Sequence, residues 1–351
     1  MKKILLIRPK IGFGLGGAET HAAQVAIKLI ERGFKVSLIA HKISFPKDYE
    51  AFLEFYPINY QGFGSVFKQI YFIHAVKNLL TKLKYDYIIS FFRIPKADLF
   101  ILCDPLFAFL VKQKKPLLWN FRPRYKILLH LEKKALLTAK KIISIFKLGK
   151  DLISQYYPQV FSKVSVCYRG IDFKKFNPKL KEKKYALRKL YGFTEEDYLI
   201  LFVGYDTKRK GLPLLLEIMP FLPKRVKLLI AGKEGKPQNN IFYLGKVKEV
   251  ENLYALADLF VLPTFYDPGA LATLEALASG TPVITSPFDG TSEFIKEGIN
   301  GYVTTLNKED LKNKILAAME KTFDPEICYN SIKFLTWDNY VDCLISQLED
   351  L

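Results

Sequence analysis

Short runs of apolar residues recur along the chain, separated by longer stretches in which apolar residues follow helical spacing. Six such runs lie in the first half: KKILLIR, KVSLIA, DYIISF, DLFILC, KIISIF and KVSVCY. Five lie in the second half: YLILFVG, KLLIAG, IFYLG, LFVLP and TPVIT. Because such runs are typical of buried strands, their alternation with helical stretches predicts parallel sheets covered by helices.

The strand pattern divides into two sets, which predicts two domains. A polar, Pro-containing segment, RGIDFKKFNPKLKEKKYALRKLYGFTEED, separates them, and we interpret it as the linker and the entry to the second domain. We expect an α/β protein with two facing, doubly wound, Rossmann-like domains at residues 1–170 and 171–334, with a C-terminal helix at 335–351 joining the first. Ligands of such sheets bind at the carboxyl ends of the strands.

The cysteines and the apolar segments limit which classes of protein the chain can belong to. The four cysteines are widely scattered and include no C-x-x-C pair, so we predict neither a disulfide framework nor a zinc site, in keeping with a reducing cytoplasm. The apolar run in MKKILLI is too short for a signal peptide and predicts a first strand instead. No stretch reaches ~18 uninterrupted apolar residues, so we expect no membrane-spanning helix.

Positive charge is concentrated in the first half of the chain. Residues 1–170 contain 29 Lys and Arg against 10 Asp and Glu, whereas the remainder contains 24 against 25. Such asymmetry indicates that one half faces a polyanion, an anionic membrane or an anionic substrate. The alternative is that the lysines only keep the protein soluble.

A glycine-rich turn follows the first strand. The segment IGFGLGGAETH opens an amphipathic helix, and Gly16 and Gly17 allow a ligand to approach the backbone N–H groups at the start of that helix. The spacing G-x-G-x-G-G is not the dinucleotide fingerprint, and no acidic residue closes the second strand, so a NAD site is not indicated. A tight turn without a ligand is the alternative.

Two cations follow the strand YLILFVGYD. Arg209 and Lys210 stand between this strand and a helix, where a diphosphate could accept hydrogen bonds from a guanidinium and an ammonium. A solvated charged loop is the alternative.

A pair of acids brackets the third cluster, DPGALATLE. Pro268, Gly269 and Ala270 can present backbone N–H groups to an anion at the start of a helix. Asp267 precedes that helix and Glu275 follows on it, so both carboxylates could reach hydroxyl groups flanking a phosphate. Alternatively, Asp267 is a helix N-cap and Glu275 has no role in binding.

Four motifs together resemble the retaining glycosyltransferases of family four. They are GGAE at 16–19, VCYRGIDFKKFNP at 166–178, RKG at 209–211, and the acids Asp267 and Glu275 followed by EALASGTPVITSPFDGTSEFI. The resemblance implies the GT-B fold and a UDP-sugar donor, with Glu275 on the ribose hydroxyls and Asp267, one methylene shorter than the usual Glu, on the transferred sugar. The implied donor-binding residues are Gly16, Gly17, Arg209, Lys210, Asp267, Gly269, Ala270, Leu271 and Glu275.

Within that family the chain most resembles the lipopolysaccharide core glucosyltransferases. The segment SFFRIPKADLFILCDP is similar to one of theirs and places Asp104 on the acceptor side, where many relatives carry a histidine. Further acceptor-side candidates are Glu19, His21, Arg93 and Lys96, although a histidine in the first helix is more often packed or solvated. The implied reaction moves a hexose, glucose favoured, to a lipopolysaccharide-core or other membrane-associated glycan.

The expected mechanism is electrostatic. No carboxylate nucleophile for a covalent route is evident, and the family is thought to react on one face of the sugar. Arg209, Lys210 and two helix N-termini would then stabilise charge on the departing nucleotide, with Asp104 and Asp267 completing the catalytic set. No D-x-D pair stands in a suitable place, so we expect neither a metal nor any other cofactor.

A basic segment with interleaved aromatic residues predicts contact with a membrane. On a helical projection Lys126, His130 and Lys133 gather on one side, with Leu128 and Ala135 opposite. We therefore expect a cytoplasmic enzyme docked on the anionic inner membrane. Alternatively, the apolar side packs on the first domain and the basic side is solvated. The predicted membrane residues are Lys112, Lys114, Lys115, Trp119, Arg122, Arg124 and Lys126.

Two other classes of protein share some of these features. A nucleic-acid-binding protein would explain the basic first half, but no recognition motif accompanies the charge, so we expect no nucleic acid partner. An inactive sugar-binding protein on the same fold is the other alternative. The favoured partners are a nucleotide sugar and an anionic, lipid-linked glycan.

Overall fold

The computed structural model describes residues 2–60, 64–113, 123–236 and 238–351. The chain divides into two compact units. Unit 1 contains residues 1–170 and 337–351, and unit 2 contains residues 171–336. Each unit is built on its own parallel sheet.

Unit 1 has a seven-stranded sheet in the order β5-β3-β1-β6-β7-β8-β9, in which every neighbouring pair is parallel. Two further short strands, β2 and β4, pair with one another. The strands are β1 (Lys3–Ile7), β2 (Lys10–Gly12), β3 (Lys35–Ala40), β4 (Lys42–Ser44), β5 (Leu53–Pro57), β6 (Tyr87–Ser90), β7 (Leu99–Leu102), β8 (Lys141–Ser144) and β9 (Val164–Val166).

Helices cover this sheet and bury its central strands. In β1, Ile4, Leu5, Leu6 and Ile7 are at most 1% exposed. A parallel sheet covered on both faces requires apolar residues at successive positions, which explains the continuous apolar runs in the sequence. The helices before residue 170 are α1 (Gly17–Glu31), α2 (Lys47–Glu50), α3 (Ser65–Leu80), α4 (Phe107–Gln113), α5 (Pro123–Thr138) and α6 (Lys147–Tyr156).

Unit 2 has a six-stranded parallel sheet in the order β12-β11-β10-β13-β14-β15. Its strands are β10 (Tyr198–Val203), β11 (Val226–Ala231), β12 (Ile241–Gly245), β13 (Leu259–Leu262), β14 (Val283–Thr285) and β15 (Gly301–Val303). Its helices are α7 (Lys184–Leu190), α8 (Leu212–Ile218), α9 (Val250–Leu256), α10 (Leu271–Ala278), α11 (Lys308–Met319) and α12 (Pro325–Asn330).

The last helix, α13 (Trp337–Glu349), belongs to unit 1. It packs along α1, where Arg32 pairs with Asp342 at 2.7 Å and with Asp338 at 3.2 Å. Ser165 beside it donates to Gln347 at 2.9 Å. Unit 1 is therefore assembled from both ends of the chain.

Every apolar run predicted as a strand contains one, and both sheets are parallel as predicted. Four strands were missed: β2, β4, β5 and β15. Three of these, β2, β4 and β15, are only three residues long, and Glu54 interrupts the apolar residues of β5, so none has a long continuous apolar run. The Rossmann-like class of both units is confirmed.

The prediction of no disulfide is wrong. Cys167, just after β9, is bonded to Cys343 in α13, with their Cα atoms 5.8 Å apart. The two residues are 176 positions apart, and only the return of α13 to unit 1 brings them together. Cys103 and Cys328 are free and buried. Disulfides are rare in the cytosol of mesophiles, so the cysteines no longer favour a reducing compartment.

Among the described residues, no helix has the length and apolar character needed to cross a bilayer.

Candidate functional site

The loops after β10 and β13 meet because these strands are neighbours in a parallel sheet. Gly211, which ends the RKG motif, has a φ of 81° and lies against Pro263, where a Cβ on Gly211 would be 1.9 Å from the Pro263 carbonyl oxygen. The Arg209 carbonyl accepts hydrogen bonds from the Thr264 hydroxyl at 3.0 Å and the Phe265 amide at 2.8 Å. These contacts fix the RKG motif against the loop that leads to Asp267.

The structure brings Arg209, Lys210 and Asp267 together. The Arg209 guanidinium lies 3.2 Å from the Asp267 carboxylate and the Lys210 ammonium lies 3.7 Å from it. Arg209 also pairs with Asp206 at 3.0 Å. Burial opposes the charge of the Arg209 guanidinium, but Asp267 and Asp206 outweigh burial and raise its pKa. The two cations predicted to hold a diphosphate are therefore already positioned by a carboxylate.

The segment from Asp267 to Ala270 leads into α10 and is held by the strand-like segment before Gly290. The Asp267 amide donates to the Phe288 carbonyl and the Gly290 amide donates to the Asp267 carbonyl, both at 2.9 Å. The N-cap position of α10 is Ala270, so Asp267 is not the N-cap. The Ala270 amide donates instead to the side chain of Asp289, at 3.1 Å.

Glu275 lies on α10 and accepts a hydrogen bond from the Tyr254 hydroxyl at 2.8 Å. Tyr254, on α9, is fully buried, and burial together with Glu275 raises its pKa well above the usual value. Its phenol therefore stays protonated and orients Glu275. Neither Tyr254 nor Asp289 was predicted as a site residue, although Asp289 lies in the quoted segment EALASGTPVITSPFDGTSEFI. Their contacts with the α10 region join residues 16 to 21 positions apart and depend on how the elements pack.

In unit 1 a buried arginine gathers two of the predicted acids. Arg8 makes two hydrogen bonds of 3.0 Å to Asp104, one of 3.3 Å to Glu19 and one of 2.7 Å to the Phe91 carbonyl. Burial raises the pKa of Asp104, but Arg8 outweighs burial and lowers it overall. Arg8 was missed as a site residue; the available signal is a charged residue directly after the buried strand β1.

The glycine-rich turn lies beside this cluster. Gly16, with a φ of 146°, precedes α1, and a Cβ there would lie 2.3 Å from a carboxylate oxygen of Glu19. The carbonyl of Gly17, the first residue of α1, accepts from Arg169 at 2.9 Å. Arg169 belongs to the VCYRGID motif, so two of the motifs that carried the resemblance are in contact within unit 1.

The prediction that His21 is available on the acceptor side is wrong. His21 is fully buried, and its Nε2 lies 2.9 Å from the Tyr340 hydroxyl on α13. Burial, with further contributions from Arg169 and Arg8, lowers its pKa well below the usual value. Its imidazole is a neutral packing group between α1 and α13.

The other acceptor-side candidates are Arg93 and Lys96. Arg93 donates to the Pro105 carbonyl at 3.3 Å and lies 3.4 Å from the buried Glu132, so it is close to Asp104. Lys96 is exposed in the loop between β6 and β7, and its amide donates to Thr138.

The predicted membrane residues are only partly described. Lys112 lies over the ring of Tyr156, 5.5 Å from its centroid, while Arg124 and Lys126 are exposed on α5. The remaining four fall outside the described residues: Lys114, Lys115, Trp119 and Arg122.

Two glycosyltransferase families match the chain. The one described as Glycosyltransferase Family 4 matches residues 15–175, and the one described as Glycosyl transferases group 1 matches residues 184–333. The two matches follow units 1 and 2. The chain therefore belongs to the GT-B glycosyltransferases, with a family 4 domain followed by a group 1 domain.

Individual relatives are similar over different lengths. The lipopolysaccharide glucosyltransferase WaaG of Escherichia coli is 22% identical, covering 88% of each chain. The uncharacterized glycosyltransferase MJ1607 of Methanocaldococcus jannaschii is 33% identical but covers only 46% of each.

Two solved structures show the same fold. A crystal structure of WaaG has a TM-score of 0.79 at 21% identity, covering 99% of this chain and 98% of that one. HepE of Anabaena, crystallised with UDP-glucose, has a TM-score of 0.77 at 18% identity and full coverage of both.

Proposed function

We propose that the protein is a retaining, metal-independent hexosyltransferase that moves glucose from UDP-glucose to a lipopolysaccharide-core or other membrane-associated glycan. The observation that carries the proposal is the cluster of Arg209, Lys210 and Asp267 at the ends of two neighbouring strands, with Glu275 on the following helix. The WaaG and HepE similarities favour UDP-glucose as the donor.

The cations of this cluster suit the departure of a diphosphate. Arg209 and Lys210 are fixed before a ligand arrives, so they can stabilise the growing negative charge without reorganising. Glu275, held by Tyr254, would accept hydrogen bonds from the ribose hydroxyls. No group of three or more metal-ligating side chains occurs among the described residues, and we propose that the two cations take the place of a metal.

Asp104 is proposed to orient the acceptor rather than to deprotonate it. Arg8 lowers the pKa of the Asp104 carboxyl, so the carboxylate is a weak base at neutral pH. It can still accept a hydrogen bond from an acceptor hydroxyl, since its side chain is 32% exposed. The acceptor proton would then pass to the leaving diphosphate.

A screen of nucleotide sugars tests the donor. UDP-glucose, GDP-mannose and ADP-glucose are compared for thermal stabilisation and for slow release of free nucleotide in the absence of an acceptor. We expect UDP-glucose to give the largest stabilisation and measurable release. Stabilisation by GDP-mannose or ADP-glucose alone would contradict the donor assignment, and stabilisation without release by any donor would favour an inactive sugar-binding protein.

We propose that unit 1 docks on the cytoplasmic face of an anionic inner membrane, where a lipid-linked acceptor would lie. On α5, Lys126, Lys133 and Lys134 are exposed, whereas Leu128 and Ala135 are buried against the unit. At ~1 kcal/mol for each lysine near an anionic surface, these side chains would give salt-sensitive attachment.

Flotation with liposomes tests the docking. The protein is mixed with vesicles that contain anionic lipid, and wild type is compared with a variant in which Lys126, Lys133 and Lys134 become Gln. A control variant carries the same change at three exposed lysines of unit 2: Lys183, Lys189 and Lys224. We expect wild type and the control to float at low salt and the α5 variant to float less. If all three float equally, or none does, α5 is not the docking surface.

A further inference from the structure

A fully buried carboxyl group lies under the candidate donor site. Asp289 is 0% exposed. One of its oxygens, Oδ1, accepts from the amides of Ala270 at 3.1 Å and Thr291 at 3.0 Å. The other, Oδ2, lies 2.8 Å from the Thr273 hydroxyl and 2.9 Å from the Thr285 hydroxyl. Asp289 thus connects the start of α10 to the end of β14.

The number of hydrogen-bond donors around Oδ2 indicates whether Asp289 carries a proton. The Thr285 hydroxyl is 3.0 Å from the Leu262 carbonyl and 2.9 Å from Asp289, but it has only one hydrogen to donate. A proton on Oδ2 satisfies both contacts, because Asp289 then donates to Thr285 and Thr285 donates to Leu262. An ionised Asp289 would leave two oxygens facing one another without a hydrogen between them.

The charges around Asp289 point to the same state. Asp267 lies beside Asp289, because two backbone hydrogen bonds join Asp267 to the residues on either side of Asp289. The nearby cations Arg209 and Lys210 pair with Asp267 and not with Asp289. The ionisable residue that α10 contributes, Glu275, is held by Tyr254. Burial, and secondly the charge of Asp267, raise the pKa of Asp289.

We infer that Asp289 is a neutral carboxylic acid at physiological pH and a positioning residue for the donor site. In this state it holds the amide of Ala270 and the hydroxyl of Thr273, and so fixes the loop that begins at Asp267. It also keeps a second negative charge away from Arg209 and Lys210. The inference deepens the proposed function and rests on it for the role in donor binding, whereas the protonation state can be tested without a ligand.

The first test follows stability against pH in wild type and Asp289→Asn. Asn can accept from both amides and donate to the Thr285 hydroxyl, so it mimics the neutral acid at these three contacts. With a folded pKa above the unfolded value of ~3.9, the folded state holds the proton longer than the unfolded state, and wild type loses stability as pH rises through this window. If Asp289 is still neutral at pH 7, the melting temperature of Asp289→Asn minus that of wild type should therefore increase from pH 4 to above pH 7. A plateau reached below pH 7 would overturn the inference.

Asp310 provides a matched control. Its carboxylate accepts from the Thr304 hydroxyl at 2.8 Å and the Thr305 amide at 2.8 Å. Burial raises its pKa, but these hydrogen bonds and Lys314 outweigh burial and lower it. Asp310→Asn should become progressively less stable than wild type as pH rises toward the unfolded pKa. Above the unfolded pKa the difference between Asp310→Asn and wild type should stay flat. If the Asp289→Asn difference is also flat above pH 4, or falls together with that of Asp310→Asn below pH 4, Asp289 is ionised and the inference fails.

The second test measures binding of UDP by calorimetry. At pH 7 we expect Asp289→Asn to retain affinity within about threefold of wild type, because the neutral mimic keeps the loop and the charge of the site. Asp289→Ala should lose about tenfold or more, since two buried donors lose their acceptor. Equal, large losses in both variants would show that an ionised carboxylate is needed. If wild type itself does not bind UDP, the proposed function fails, and the stability test still decides the protonation state.

Discussion

Asp267 is the residue on which the charge of the candidate donor site depends. Its carboxylate lies within 3.7 Å of both Arg209 and Lys210, so part of their positive charge is already neutralised before a nucleotide binds. A diphosphate must share these cations with Asp267 or displace it. The same side chain is expected to contact the transferred sugar.

We predict that Asp267→Asn separates binding from transfer. Removing the negative charge leaves Arg209 and Lys210 more available, so UDP should bind as tightly as to wild type or up to about tenfold more tightly, while turnover falls because the sugar loses a carboxylate partner. Calorimetry with UDP and a transfer or hydrolysis assay measure the two effects. A large loss of UDP affinity would show that Asp267 is needed to position the cations.

At the residue scale, the sequence identified the ionisable groups better than their partners. Arg209, Lys210, Asp267 and Glu275 were predicted because each belongs to a short motif next to a strand or on a helix, and the structure brings the first three together. Arg8 was missed as the partner of Asp104 because the two are 96 positions apart and meet only when their strands join one sheet.

At the scale of elements, the junction between β10 and α8 determines the position of the RKG motif. Gly211 is the N-cap residue of α8 in a left-handed conformation, and it lies directly against Pro263 in the loop after β13. The junction therefore combines two demands: a positive φ and a close approach between two backbones.

Gly211→Ala tests which demand matters. A left-handed conformation alone costs a residue about 1 kcal/mol or more, and a Cβ at 1.9 Å from the Pro263 carbonyl adds a clash with backbone that cannot be relieved locally. Gly192→Ala is the matched control, because Gly192 has a φ of 79° with nothing within 4 Å of its Cβ position. We expect Gly211→Ala to lower the free energy of unfolding by more than the control and to weaken UDP binding. If urea denaturation shows the same loss of unfolding free energy in both variants, the contact with Pro263 does not contribute to the cost.

Strand prediction succeeded where burial demands apolar residues at successive positions. The central strands β1 and β10 each bury four successive residues, and their runs KILLI and YLILFV predicted them correctly. The strand β5, LEFYP, was missed because it lies at the edge of its sheet, where partial exposure permits polar residues. The start of α10 was also predicted, but the acceptor of its first amide was not, since Asp289 lies beyond the helix.

At the scale of the whole molecule, both ends of the chain contribute to unit 1. The Cys167–Cys343 disulfide links two residues of this unit that are 176 positions apart. For a loop of that length, the chain-entropy model gives a stabilisation of about 5 kcal/mol. A C-terminal helix at 335–351 joining the first domain was predicted, but the bond depends on which side chains of that helix face Cys167.

We predict that reduction lowers the melting temperature of wild type. Cys343→Ser should melt near the temperature of reduced wild type and should not respond to dithiothreitol. Cys103→Ser, a change at a free buried cysteine, should leave the response to dithiothreitol intact. The melting temperatures are measured with and without dithiothreitol. If wild type and Cys343→Ser have the same melting temperature under both conditions, the prediction is wrong.

The central claim is that unit 2 binds a UDP-sugar through Glu275 and the two cations, and calorimetric titration with UDP tests it most directly. Loss of a charged hydrogen bond to a bound ligand costs ~1.5–3 kcal/mol, so Glu275→Ala should raise the Kd about tenfold or more. The control, Glu182→Ala, removes an exposed glutamate of the same unit and should leave the Kd unchanged. An unchanged Kd in both Glu275→Ala and Arg209→Ala, or no binding of UDP by wild type, would contradict the account.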